Sequence, residues 1–146
     1  MSQPDALGIA SRLLTALDPA APSSLSSQVV QGVWQEVVDG TLDTGARLPT
    51  VRQLAVELGL SPRVIERAYE QLEKLGVITT RTGEGSFVSL APPPAGIRDR
   101  YLGLEQRCRD LIEQAAALGF TIDDAVDVLL ELRAARRNDR AEGVPE

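Results

Sequence analysis

The stretch between Thr50 and Gly76 confines the fold more than any other part of the chain, because it encodes two short helices with almost nothing between them. Thr50 and Gln53 have the Thr-x-x-Gln spacing of a capping box, in which each side chain satisfies a backbone N–H at a helix start. Leu54, Ala55 and Leu58 then form an inner stripe, and Gly59 closes the helix. Ser61 suits an N-cap, and Pro62 suits the first helical position, where no backbone N–H is needed. Val64, Ile65, Ala68, Leu72 and Leu75 recur at helical spacing as the next inner stripe, and Gly76 ends it. The outward positions are Arg63, Glu66, Arg67 and Glu70. A guanidinium in the first turn opposes the helix dipole, so Arg63 does not stand there for the sake of helix stability.

Two β-prone runs follow, VITT (77–80) and SFVSL (86–90), separated by RTGEG, which predicts a small hairpin. Helix, tight turn, helix, hairpin is the winged helix-turn-helix arrangement. Such a fold lays the N-terminal turns of its second helix against base edges in the major groove. The task needs a narrow, accessible helix end, long hydrogen-bonding side chains outside and a rigid stripe inside. Arginine grips guanine O6 and N7 through two parallel hydrogen bonds, worth about 1–3 kcal/mol of discrimination. At the wing tip, Arg81-Thr82-Gly83-Glu84-Gly85 offers a charge beside glycines that let the backbone approach a groove or a phosphate.

The flanks complete the organisation. Leu7, Ala10, Leu13, Leu14 and Leu17 predict an N-terminal helix over about 4–17, followed by the Pro/Ser connector DPAAPSS (18–24). Leu25, Val29, Val33 and Val37, widened by Val30 and Trp34, predict a second helix, which Gly40 ends. APPPAG (91–96) reads as a stiff extended linker. Beyond it, Ile97, Tyr101, Leu104, Cys108, Leu111, Ile112, Ala115 and Leu118 predict a long helix stopped by Gly119. Thr121 caps a last helix with Ile122, Ala125, Val126, Leu129, Leu130 and Leu132, and a frayed charged tail follows from Arg136. The expected fold is mainly α with one small hairpin. Its parts are an N-terminal helix and connector (1–22), a winged helix-turn-helix domain (23–90), a linker (91–96), a two-helix dimerisation segment (97–140) and a tail (141–146).

Composition excludes more than it assigns. There are no histidines and one cysteine, which removes the commonest general base and metal ligand and any intrachain disulfide. No paired catalytic residues or nucleotide-binding loop stand out, so neither an enzyme nor a cofactor is expected. No apolar run approaches the roughly 20 residues that span a bilayer, and the first 20 residues make a poor signal peptide, so a cytoplasmic location is expected. The net charge of −6 is unevenly spread: residues 47–96 carry six basic and five acidic side chains, net +1, against −4 for 1–46 and −3 for 97–146. The face offered to DNA matters more than the total.

From LPTVRQLAVELG to GEGSFV, the chain resembles the DNA-binding domain of the GntR family of bacterial transcription regulators. Gly45, Leu48, Pro49, Thr50, Arg52, Leu54, Ala55, Leu58, Gly59, Leu72, Gly76, Ile78, Gly83, Gly85, Ser86, Phe87 and Val88 stand in that family's pattern, and the likeness covers about Ser24 to Leu90, with Gln28 fitting the first helix. The short two-helix tail and SPRVIERAY are similar to the YtrA subfamily. Two positions depart: Pro62 stands where many relatives have a base-contacting Arg, and Val64 replaces a common Thr. The resemblance implies DNA contacts from Arg52, Ser61, Arg63, Arg67, Thr82 and Gly83, with Arg81 at the wing base beside them. It also implies a homodimer joined through the C-terminal helices, a pseudo-palindromic operator on double-stranded DNA and repression of transcription, with no effector assigned.

Plainer roles compete at single positions. Arg52 has Glu57 and Glu66 as candidate ion-pair partners, and Arg67 has Glu70 and Glu73. Trp34 and Tyr69 are expected in the core or at an interface rather than at a ligand site, and Cys108 as a small buried hydrophobe. Asp123, Asp124 and Asp127 are expected to serve a helix start rather than a metal. The competing function is a protein-interaction module on a winged fold without specific DNA binding.

Overall fold

The computed structural model describes residues 3–91, 93 and 96–143, and the side chains of all of these except 3–7 and 142. Six helices and one hairpin follow in chain order: α1 (Gln3–Ala16), α2 (Leu25–Val38), α3 (Val51–Leu58), α4 (Pro62–Lys74), β1 (Ile78–Arg81), β2 (Gly85–Val88), α5 (Ile97–Ala117) and α6 (Ile122–Glu142). The chain divides into two units, Met1–Arg98 and Asp99–Glu146.

Local signals set the helix ends of the first unit. The Ser24 side chain accepts the Ser27 N–H at the start of α2. Both halves of the Thr50–Gln53 capping box form, at 3.1 and 2.9 Å, and Ser61 caps α4 with Pro62 behind it. The glycines expected past helix ends, Gly40, Gly59, Gly76 and Gly119, all have positive φ. Gln28 binds the connector to α2: its side chain accepts the Asp18 N–H (2.7 Å) and donates to Asp18 O (2.9 Å) and Ser23 O (3.1 Å).

The core lies where α4 packs on α2, α3 and β1, with α1 laid across α2 and α3. Val29, Val30, Val33, Leu54, Ile65, Ala68 and Leu72 are fully buried or nearly so. Trp34 and Tyr69 are buried with them, as expected. The buried face of α1 differs from expectation. Ile9, Ala10 and Leu13 point inward, whereas Leu14 is exposed, and the Leu7 side chain lies outside the described residues. The face turns because α1 serves two neighbours, and Gly32 of α2 lets it come close: a Cβ there would collide with the Leu13 side chain. A two-pronged ion pair, Arg12 to Glu36 at 2.8 and 2.7 Å, closes the outer edge of this contact.

The hairpin is antiparallel, with Ile78 opposite Val88 and Arg81 opposite Gly85; β1 lies one residue later than the sequence reading, and β2 starts one residue earlier and ends two earlier. A third stretch, not anticipated, lies along the free edge of β2. Gly45 N–H donates to Val88 O (2.9 Å), Val88 N–H to Ala46 O (2.8 Å) and Leu48 N–H to Ser86 O (2.8 Å), which sets Arg47 opposite Phe87. Ala46, Leu48, Ile78 and Val88 form the buried face of this ladder.

In the second unit, Thr121 and Asp124 cap α6 reciprocally, at 2.9 and 3.2 Å. These backbone and side-chain bonds to Thr121 hold the Asp124 carboxyl below its ordinary pKa, so of the acid cluster Asp124 takes the capping role expected there. Two expectations fail here. Cys108 is exposed, because no other element of the unit covers the stripe it lies on. The charged segment from Arg136 continues α6 to Glu142 rather than fraying, helped by the exposed basic side chain Arg140 in the last turn. Part of the expected linker (92, 94 and 95) and of the tail (144–146) lies outside the described residues.

The α1 contact is tested by Leu13→Ala. Removing a 2 % exposed leucine should cost about 2–5 kcal/mol of unfolding free energy in urea denaturation. A loss within the error of the fit would mean that α1 does not brace the unit.

Candidate nucleic-acid interface

α4 is held from its inner edge. Ile65, Ala68, Tyr69 and Leu72 are buried, while Ser61, Pro62, Arg63, Glu66, Arg67 and Glu70 are exposed. The Tyr69 hydroxyl donates to Pro49 O at 2.6 Å, fastening α4 to the segment that leads into α3. Burial raises the Tyr69 phenol above its ordinary pKa, so the donor stays protonated across the physiological range.

The arginines singled out on the two helices are free of internal partners. Arg52 is the second residue of α3; Arg63 is the second residue of α4, and Arg67 lies one turn further on. All three are exposed, and among the described residues none forms an ion pair or hydrogen bond. The pairings with Glu57, Glu66, Glu70 or Glu73 that would have given them a plain structural role are therefore absent from this structure. Arg63 and Arg67 stand four residues apart on one face, a like-charge arrangement that weakens an isolated helix slightly and that an anion would relieve. Ser61 is partly engaged: its Oγ accepts the Val64 N–H at 3.4 Å, and its hydroxyl proton remains available for donation.

The wing places its three residues differently. The Arg81 guanidinium lies over the Phe87 ring, 4.4 Å from the centroid, a cation–π contact worth about 0.5–1 kcal/mol at an exposed site. Arg81 is thus oriented by its own hairpin rather than free like the helix arginines. Thr82 and Gly83 form the turn, closed by Glu84 N–H to Arg81 O at 3.0 Å. Gly83 takes φ +78° with nothing within 4 Å of where a Cβ would stand, so its backbone is open to an approaching surface. A groove of about 380 Å³ runs between the wing tip and the start of α3; Arg81, Thr82 and Gly83 line it together with Thr50, Val51 and Arg47. Arg52, Ser61, Arg63 and Arg67 lie outside it.

Sequence reasoning passed over Arg47. The signal was present in the alternation of Ala46, Arg47 and Leu48, one polar residue between two that are buried, but three residues are too few to distinguish a strand from a loop. Among the described residues, no group of His, Cys, Asp or Glu could hold a metal ion, and no helix is long and apolar enough to cross a membrane.

A family model for bacterial regulatory proteins of the gntR family matches residues 25–88. The HTH-type transcriptional regulator Rv1152 of Mycobacterium tuberculosis is 35% identical over 105 residues, covering 72% of this chain and 78% of that protein. The HTH-type transcriptional repressor YtrA of Bacillus subtilis is 24% identical over 127 residues, covering 84% of this chain and 98% of that protein. Among solved structures, a transcriptional antiterminator from Listeria monocytogenes EGD-e aligns with a TM-score of 0.54 at 23% identity, over 80% of this chain and 87% of that one. YtrA from Sulfolobus acidocaldarius, a GntR-family transcription factor, aligns with a TM-score of 0.51 at 22% identity, over 62% and 90%. At these identities the two structures speak for the fold.

Tyr69→Phe isolates the tie on α4. It leaves the Pro49 carbonyl without its buried donor and should lower unfolding free energy by about 1–3 kcal/mol. Unchanged denaturant midpoints would show that the hydroxyl does not hold the helix.

Proposed function

Because the chain belongs to the GntR family of bacterial transcription regulators, and carries that family's DNA-binding domain, we propose that it binds a pseudo-palindromic operator as a homodimer and represses transcription from it. The observation that carries this reading is the set of three exposed arginines, Arg52, Arg63 and Arg67, on the two helices of the turn, none of them with an ion-pair or hydrogen-bond partner among the described residues. In this reading Arg63 reads base edges and shares that task with Arg67, Arg52 and Ser61 hold the backbone, and Thr82 and Gly83 enter the adjacent groove beside Arg81. Repression is supported by the name of the Bacillus relative, which is called a transcriptional repressor. Action in the cytoplasm, where the DNA lies, goes with this reading.

Dimerisation is supported by what the second unit leaves uncovered. α5 and α6 pack little on each other, and neither has a buried residue among those whose side chains are described. Leu104, Leu111, Leu118, Phe120, Val126, Leu129 and Leu132 are all exposed in the single chain. A groove of about 530 Å³ at the elbow is lined mainly by apolar side chains, Leu111, Leu118, Phe120, Leu129 and Leu132 among them, with Gln114, Asp124 and Asp127 beside them. Contiguous apolar surface of this kind ordinarily marks an association site. A two-fold pairing there would couple two DNA-binding units and read two half-sites.

Two measurements test this. In sedimentation at micromolar concentration the chain should run as a dimer and Leu129→Glu as a folded monomer with much weaker DNA binding; a wild-type monomer contradicts the dimer. In selection of duplexes from a random pool, the wild type should enrich a two-fold-related site. Arg63→Ala should lose about tenfold or more in affinity for it, one bidentate base contact being worth about 1–3 kcal/mol, and Arg52→Ala, which removes a backbone contact, should weaken selected and random duplexes alike, with unfolding temperature unchanged in both. Full affinity in both variants would refute the contact assignment. Absence of binding at any salt concentration would favour a protein-interaction module.

A further inference from the structure

The outer face of the wing carries a second guanidinium to which the preceding reading gives no role. Arg47 is exposed and, among the described residues, has no ion pair or hydrogen bond from its side chain. Its backbone is fixed nonetheless, since the residues on either side of it are bonded to β2 and it stands opposite Phe87. On this face Arg81 of β1 stands opposite Gly85, and Arg47 opposite Phe87, so β2 is flanked by an arginine on each side. Gly85 makes the room. A Cβ on it would stand 3.2 Å from Arg47 Nε and 3.4 Å from Nη2, and its φ of +120° is one that other residues rarely take. The nearest acid in the groove these residues line is Glu84, which pairs with neither arginine among the described residues.

Arg47 and Arg81 flank β2 on one face of the wing, where like charges repel, and among the described residues neither is paired with a carboxylate. An anion that spans both relieves the repulsion, and a chain of phosphates spaced along a duplex does so with both sites at once. We propose that Arg47 is a DNA-backbone contact, gripping a phosphate from the edge of the wing opposite Arg81. The inference rests on the DNA-binding reading above and adds a contact that positions the wing without reading sequence. The guanidinium fork suits a phosphate, and its distance along the ladder from the turn residues Thr82 and Gly83 separates backbone-holding from groove entry.

The test uses the full chain and a random-sequence duplex of about 30 base pairs, with binding followed by fluorescence anisotropy over a salt series. Each phosphate contact contributes about 0.9 to the slope of log K against log salt. Arg47→Gln should make that slope shallower by about 0.9 per subunit bound and weaken random and selected duplexes by the same factor. Arg47→Lys should keep most of the slope. Arg107→Gln, an equal loss of charge on an exposed position of α5, should leave the slope as it is. Melting temperature for each variant shows that the fold is intact. If the wild type shows no salt-dependent binding, the DNA reading itself fails and Arg47 falls with it. If the wild type has the slope and Arg47→Gln keeps it, or Arg107→Gln lowers it equally, the DNA reading stands and the Arg47 contact is wrong.

Discussion

Everything the first unit presents outward depends on α4 being held from within. A helix that touches DNA through one end must not roll, because a rotation of a few tens of degrees would carry Arg63 and Arg67 off their common face. Ile65, Ala68 and Leu72 fix the roll by burial, and Tyr69 fixes the near end by its 2.6 Å bond to Pro49 O. The last of these matters most for geometry, since it ties α4 to the backbone just before Thr50, where α3 and Arg52 begin. One buried phenol therefore relates the two helices that carry the unpaired arginines.

The same unit shows how electrostatic function sits on a chain of net charge −6. The acidic excess lies in residues 1–46 and 97–146, leaving the two helices and the wing close to balance. Within that balance the carboxylates of α4 are left exposed and none neutralises Arg63 or Arg67. Elsewhere the chain does form such pairs, Arg12 with Glu36 and Arg109 with Glu105. The difference is between arginines that hold elements together and arginines left for something outside the chain.

Features set by neighbours in sequence were legible in advance. The capping box at Thr50, the N-cap at Thr121, the Ser61-Pro62 helix start and the glycine stops all depend on residues within a turn of one another, and the structure forms them. What depended on distant packing was not legible. Which face of α1 is buried follows from its contact with α2 at Gly32, and the strand-like run at 45–48 exists only because β2 lies beside it. Cys108 was placed inside because its stripe looked apolar, but a stripe does not say that anything covers it. The candidate site divides the same way: Arg63 and Arg67 could be read from helix periodicity and Arg52 from the family resemblance, whereas Arg47 is visible only once the wing has three strands' worth of backbone.

The central claim is that the duplex meets the starts of α3 and α4 together with the wing. Backbone and arginine side-chain NMR signals, followed as a duplex drawn from the selected pool is added, test it most directly. The account predicts that the largest changes fall at Arg47, Arg52, Ser61, Arg63, Arg67 and Arg81 to Gly83, with Arg63 and Arg67 Nε–H signals moving furthest. Changes confined to α5 and α6, with those signals unmoved at saturation, would contradict it.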